Sequence, residues 1–461
     1  EWLELFYDLV YVAALIQLGQ ILVDDLSFRG VGRFAVLFTL LWWVWTSTTL
    51  LKNRIEVDDF AHRFLIFAQM FAIGAAAVVI GDAFTTRSSQ FAFAMFFVQL
   101  TIVLMYVRVW LRLPSSRRMV GPLATTNAIA AVIWLASLAA PTPARFWLWG
   151  AAFLVSISWI ASRSFRRMLA TEFPPDEEHL MERYALLTII VLGESFIKVV
   201  GAVADQGATA STYAHGFFAF LTSVGLWWTY FDDVADSPIK PTAEGLPGAA
   251  VWSSLHLPLT MGLTAVGVGL KALVLSDFGD TVGLAAAWVL VGALIVVLLS
   301  VAGLDSITRS RHFGVRERDR VLWRLVAVAL LMALGVVAPR LSTTAFGALV
   351  AAIVVGQIAI EGLVAKRADR AVRVDVDRVI QTALAGARCE HLEQLADTRP
   401  ERAGCLQCAE NGMVWVHLRF CTVCGQVGCC DDSQGRHSAR HFMETGHATM
   451  RSMEPGEDWA W

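Results

Sequence analysis

The first 388 residues of this 461-residue chain contain no cysteine, and the first 365 offer no polar stretch long enough to form a water-exposed domain. Charge is scarce too: Asp, Glu, Lys and Arg supply 17% of the residues, against about 25% in an ordinary soluble protein. These absences exclude a disulfide-stapled secreted scaffold and a soluble globular core for most of the length. No glycine-rich phosphate loop and no nucleophile–base set stands out, so an enzyme is not expected. The net charge of −3 averages two unlike parts and says little about partners.

What fills the first part is apolar sequence. A bilayer-spanning helix needs about 20 mainly apolar residues, and twelve such segments can be read, at 3–22, 34–51, 62–82, 91–111, 122–139, 145–162, 181–203, 214–233, 251–275, 281–303, 322–338 and 345–364. The fold expected is an all-α polytopic membrane bundle over residues 1–365. Lys and Arg collect after even-numbered segments, at Lys52, Arg54 and Arg63, at Arg112, Arg117 and Arg118, at Arg163, Arg166 and Arg167, at Arg309 to Arg320, and from Lys366 to Arg373. By the positive-inside rule both termini face the cytoplasm. The chain starts at Glu1 without an initiator Met, so sequence is expected before it. The first segment, with its two acids, does not read as a cleavable signal.

The two halves resemble each other. Leu41-Trp42-Trp43-Val44-Trp45 in the second segment parallels Leu226-Trp227-Trp228-Thr229-Tyr230 in the eighth, and at that offset Asp8 falls within one residue of Glu194. Six segments followed by six give repeats of one orientation, as in transporters whose halves are related by an axis along the membrane normal; the competing reading is the general abundance of Trp in interfacial belts. Glu4 and Asp8 are four apart on one helix face, while Glu194 lies deep in the seventh segment with Lys198 one turn on. An acid in mid-bilayer costs about 2.5–3.5 kcal/mol, so such groups face the bundle interior or a wet cavity. They form either a proton or cation relay or, for Glu194 and Lys198, a structural ion pair. Gly262–Gly269 reads as close helix packing.

The run Glu4-Leu5-Phe6-Tyr7-Asp8-Leu9-Val10-Tyr11-Val12, followed by Glu182-Arg183-Tyr184 and Thr188-Ile189-Ile190-Val191-Leu192-Gly193-Glu194-Ser195, resembles the two signature stretches of the bacterial low temperature requirement protein A family. The resemblance implies a multi-pass bacterial inner-membrane protein, named for a growth phenotype in the cold. Glu4, Asp8, Glu182 and Glu194 stand at its motif positions; it supplies no substrate.

Residues 366–388 alternate charged and apolar side chains, fitting either an amphipathic helix on the anionic inner leaflet or a solvated linker. Beyond them lie all seven cysteines. Cys405-x2-Cys408, Cys421-x2-Cys424, Cys429, His437, His441 and His447 offer eight ligands, enough to close two tetrahedral zinc sites. In a reducing compartment such thiols bind metal rather than pair, and closed sites are structural.

The segment from Trp415 to Gly425, with Gly428-Cys429-Cys430-Asp431, His437-x3-His441, Thr445-Gly446-His447 and Glu454-Pro455-Gly456-Glu457-Asp458-Trp459, resembles the UBP-type zinc finger, a small α+β domain placed here at 389–461. The resemblance implies a cross-brace: Cys405, Cys408, Cys429 and His437 at one zinc, Cys421, Cys424, His441 and His447 at the other. Cys389-x-His391 looks like half of a third site that this chain leaves incomplete, and Cys430 has no assigned role. Eukaryotic members hold the Gly-Gly terminus of ubiquitin with a stacking Trp, matched by Trp415, and an Arg, whose place is taken by Cys430, Asp431 and Asp432. Acids there would repel a carboxylate, which argues against ubiquitin; a different peptide or protein C-terminus is the preferred ligand. Acidic and basic residues alternate with no Lys/Arg stripe, so no nucleic acid is expected.

The reading favoured is a transporter or channel for an ion or small solute that uses intramembrane carboxylates and carries a cytoplasmic zinc module. The alternative is a membrane-anchored recognition or signalling protein without transport.

Overall fold

A computed structural model of the chain describes residues 2–460 apart from 56–58, 208, 233, 236, 241–247, 309–316, 387–397, 456 and 458, and omits the side chains of 317 and 365–386. Two compact units make it up, Glu1–Asp369 and Arg370–Trp461.

Among the described residues, the named elements of the first unit are all helices. Its first half comprises α1 (Trp2–Asp24), α2 (Phe28–Arg54), α3 (Phe60–Val79), α4 (Ser88–Arg112), α5 (Arg117–Ser137) and α6 (Ala144–Ile157). The short α7 (Arg163–Thr171) leads to α8 (Glu177–Gln206), α9 (Ala210–Phe231), α10 (Gly248–Val274), α11 (Leu284–Ile307), α12 (Glu317–Val337) and α13 (Thr343–Gly386). Starts follow local chemistry: Ser27, Asp59 and Asp176 each accept a backbone N–H of the first turn, and Thr209 and Thr212 close a reciprocal capping box on α9. Outside the membrane segments, the His62 amide and the guanidinium groups of Arg108 and Arg112 hold the Asp59 carboxyl below its ordinary value.

Among the described residues, eleven helices are long and apolar enough to cross a membrane. They coincide with eleven of the twelve apolar segments. The remaining one, 214–233, forms α9, whose 22 residues span about 33 Å but carry His215, Thr222, Thr229 and Tyr230 among the apolar side chains. Helix α9 ends at Phe231 with Asp232 as its C-cap. The stretch 366–388 continues α13 as helix as far as Gly386.

The halves repeat a packing scheme. Helix α1 packs on α2 and α3, α3 on α4, and α4 on α5; likewise α8 packs on α9 and α10, α10 on α11, and α11 on α12. The two first helices, α1 and α8, meet each other. They run parallel, since Asp8 of α1 touches Arg183 of α8 and Gly19 faces Lys198. Parallel first helices are what two repeats of the same orientation require.

Lipid tails are as apolar as leucine, so helices in a bilayer associate through close packing rather than hydrophobic exclusion. Helix α10 shows this directly. A Cβ on Gly267 would lie 2.9 Å from the backbone Cα of Ser195 on α8, and one on Gly269 would lie 2.9 Å from the Cα of Leu290 on α11. The Ser195 hydroxyl uses the proximity to donate to the Leu263 carbonyl at 2.9 Å.

The second unit contains α14 (Leu406–Glu410), β1 (Leu418–Cys421), β2 (Val427–Cys429), α15 (His437–Thr445) and β3 (Met450–Ser452). The strands form an antiparallel sheet in the order β2-β1-β3, with Leu418 opposite Cys429 and Phe420 opposite Arg451. Strands of three or four residues with so small a core need a staple.

Leucine at Gly267 is expected to push α8 from α10 and lower stability by about 1–3 kcal/mol. The check is the thermal midpoint of the purified protein in detergent; an unchanged midpoint would contradict the close approach.

Candidate functional site: a paired-charge seam and a metal centre

The ionisable groups of the helices gather along the α1–α8 seam. Glu4 and Asp8, one turn apart on α1, are both buried, Asp8 completely. Arg183 of α8 donates through Nη2 to Asp8 Oδ1 at 2.7 Å, and Trp45 of α2 donates its indole N–H to the same oxygen at 2.7 Å. Lys52 Nζ of α2 lies 2.8 Å from Glu4 Oε1, with His179 Nε2 at 3.6 Å and Arg183 Nη1 3.8 Å from Glu4 Oε2. The Arg183 guanidinium also sits 5.8 Å from the Trp45 ring centre. Two acids thus share one arginine, while lysine and histidine flank the outer acid.

An aromatic layer continues the network inward. Tyr184 meets Trp45 edge-on at 4.9 Å, approaches Thr46 through its hydroxyl at 3.3 Å, and stands 4.8 Å from the His256 ring. His256 Nδ1 lies 2.9 Å from the Trp252 carbonyl and its Nε2 2.8 Å from the Tyr230 hydroxyl. A carbonyl only accepts, so Nδ1 carries a proton toward Trp252, and Nε2 pairs with the Tyr230 hydroxyl.

Farther along α8, Lys198 Nζ contacts Glu194 Oε1 at 2.6 Å, and both side chains are buried. The ammonium is pressed against α1 so closely that a Cβ on Gly19 would lie 2.4 Å from it. Glu194 is three turns, about 16 Å, beyond Arg183 on α8. The seam therefore holds Asp8 and Glu194 at different levels, although the sequence offset aligns them.

Several partners escaped sequence reading. Arg183 and Tyr184 were visible only as motif letters, and Lys52 counted as a loop charge. Asp305 at the end of α11 is fully buried against Arg324 of α12, with Arg320 Nη2 3.9 Å from it. Arg320, grouped above with loop cations, is 3% exposed. Ionisable residues inside or beside apolar runs were the available signal; their partners depend on helix rotation. Glu182 keeps an exposed side chain, 3.9 Å from His179 Nδ1.

The tail brings together the two sets assigned by the cross-brace. Cys405, Cys408, Cys429 and His437 form one group, with ligand atoms within 4.8 Å of one another, and Cys421, Cys424, His441 and His447 form the other. In the first, His437 Nδ1 stands 3.2, 3.3 and 3.4 Å from the sulfurs of Cys405, Cys408 and Cys429, and the Cys408 and Cys429 sulfurs are 3.6 Å apart. In the second, Cys424 Sγ is 3.4 Å from His441 Nε2 and Cys421 Sγ 3.5 Å from His447 Nδ1. Zinc arms of about 2.0–2.3 Å give tetrahedral edges of about 3.3–3.8 Å, so these donors fit zinc. Gly425 closes the second knuckle at φ 81°, where a side chain would meet the Arg399 carbonyl.

The thiols are crowded. Burial and the neighbouring Cys405 and Cys429 thiols push Cys408 up to about 12, and burial raises Cys424. Burial lowers His437 and His441, keeping both imidazoles neutral and able to ligate. A cation among them is what makes thiolates stable there.

Cys430 lies one rung beyond the Leu418–Cys429 pair, so alternation turns its side chain from the Cys429 face. It is buried near His417, Asp432 and the Ser433 hydroxyl. Trp415 is half-buried beside Gly404. Cys389 and His391 lie outside the described residues.

Residues 1–359 match the family described as bacterial low temperature requirement A protein, and residues 405–461 match the Zn-finger in ubiquitin-hydrolases and other protein. An uncharacterized protein of Rhizobium meliloti strain 1021, RA0937, is 31% identical over 276 residues, covering 58% of this chain and 67% of its own. The solution structure of protein RPA1320 from Rhodopseudomonas palustris is 44% identical over 16% of this chain and 74% of that one, with a TM-score of 0.16.

Acid should strip the metal. Protons compete for thiols that bind them tightly in the metal-free state, so zinc retention in the full-length protein should fall as pH drops from 7.5 to 5, and Cys408→Ser should lose metal at higher pH than wild type. Metal analysis after dialysis at each pH checks both.

Proposed function

Because the chain belongs to the bacterial low temperature requirement A family, whose signature acids fall on α1 and α8, we propose that its membrane part moves a small solute or ion and that the zinc finger is its cytoplasmic recognition module. The observation that carries this reading is the buried ion pairing at the seam of the two first helices, Asp8–Arg183 between α1 and α8 and Glu194–Lys198 within α8. Exchanging a buried pair for packed apolar residues is often neutral or stabilising, so its presence is a poor device for stability alone. A pair that can be opened by a proton, a cation or a solute charge is a useful switch between two arrangements of rigid halves. In this scheme Asp8 and Glu194 are the exchangeable acids, with Arg183 and Lys198 as their resting partners. Glu4, held by Lys52, sits at the mouth.

The finger completes the scheme with two structural zinc ions. Trp415 offers a partly open indole face to a peptide or protein terminus, and Asp431 and Asp432 select against a carboxylate at the position following Cys429. If the membrane part is only an anchor, this face is the protein's working surface.

Flux is the direct test. In proteoliposomes, Asp8→Asn and Glu194→Gln, matched to wild type in folding and insertion, are expected to lose at least tenfold in proton-coupled or cation flux. Absence of flux for wild type across a broad ion panel would remove transport and leave recognition.

Sidedness has its own test. Both termini share one face only if α9 crosses as a twelfth span. With native thiols confined to the tail, Gln206→Cys should react with an impermeant maleimide in intact spheroplasts, and Pro238→Cys only after permeabilisation. Labelling of both from outside would mean α9 does not cross.

A further inference from the structure

A cavity of about 270 Å³ lies where the end of α2, the turn after α6, α7 and the starts of α8 and α10 converge. Its wall is mainly apolar, dominated by Trp42, Trp43 and Trp159, but two guanidinium groups, Arg54 and Arg166, also line it. No carboxylate belongs to that lining. Arg54 spends Nε on the Phe173 carbonyl and Nη1 on the Leu50 carbonyl, and Arg166 spends Nη1 on the Ile160 carbonyl. Among the described residues neither has an acid partner.

The other polar side chains of the lining are the hydroxyls of Thr46, Ser253 and Ser254. A charged group among apolar walls is costly unless an opposite charge or well-placed acceptors meet it. Two guanidinium groups in a mainly apolar chamber, with no acid partner among the described residues, define the missing complement: acceptors bearing negative charge, carried on an apolar body. A cation is excluded by the two arginines. A neutral hydrocarbon or water alone would leave the charge without a counterpart.

We infer that this cavity is a binding site for an amphipathic anion, its charged group held by Arg54 and Arg166 and its apolar part lying against the indole rings. The inference deepens the transport reading by naming a class of solute. The same chemistry is presented by a free organic carboxylate and by the headgroup region of an anionic lipid. The site adjoins the seam network, since Thr46 lines the cavity and meets the Tyr184 hydroxyl.

Equilibrium binding separates this inference from flux. Full-length protein in detergent is titrated calorimetrically with octanoate, with octanol as the uncharged match. Native mass spectrometry of protein from nanodiscs counts phosphatidylglycerol against phosphatidylcholine retained per chain. Arg54→Gln and Arg166→Gln each delete one guanidinium charge while keeping an amide N–H donor. For a free carboxylate, octanoate should bind at least tenfold more tightly than octanol and weaken at least fivefold in either variant. For a lipid source, octanoate should not bind, and one phosphatidylglycerol should remain on wild type and be lost from Arg166→Gln. Equal binding of octanoate and octanol, anion binding unchanged in both variants, or no anion retained by either method would overturn the inference. Binding without flux would instead leave the site standing and remove transport.

Discussion

The burial of charge at the α1–α8 seam is the constraint on which the membrane fold turns. A single carboxylate such as Asp8, with no exposure to solvent, is tolerable in a low-dielectric interior only beside a cation held in place by other groups. Arg183 meets that requirement, and Trp45 fixes the acceptor oxygen from the opposite side. Those contacts need α1, α2 and α8 to meet at one point, which settles the rotation of all three. The Tyr184, His256 and Tyr230 layer then ties in α9 and α10. Glycine on α10 lets α8 approach closely enough for the arrangement to close.

Parallel first helices give the two repeats a shared axis without making them equivalent. One end of the seam holds a cluster of two acids, an arginine, a lysine and a histidine, and the other a lone Glu194–Lys198 pair. A rocking motion of one half against the other would strain the two ends differently. The cavity lined by Arg54 and Arg166 lies at the end holding the larger cluster, so the electrostatic asymmetry and the space for a ligand coincide.

Much of this was legible from composition because bilayer thickness fixes helix length and zinc fixes ligand spacing. The apolar runs therefore give helix positions, and Cys405-x2-Cys408 and Cys421-x2-Cys424 give the knuckles. Partners across helices were another matter. Nothing in the local sequence around Lys52 distinguishes a loop cation from the buried partner of Glu4, and Arg320 and Arg324 reveal their bond to Asp305 only once α11 and α12 are packed. The match of Asp8 to Glu194 rested on a Trp pattern that fixes approximate offset, not height along the seam. Helix α9 is ambiguous for a compositional reason, because its hydroxyl and imidazole groups are satisfied inside the bundle by contacts such as His215 with Thr344.

The interleaving of the two ligand sets has a consequence for how the tail responds to its surroundings. Cys421 and Cys429, which belong to different clusters, sit on adjacent paired strands. Ordering one cluster therefore prepays part of the chain entropy needed for the other. Were each cluster to take a metal, occupancy would rise more steeply than a single site allows, approaching the square of free metal concentration, and the folding of the tail would follow free zinc as a threshold rather than in proportion.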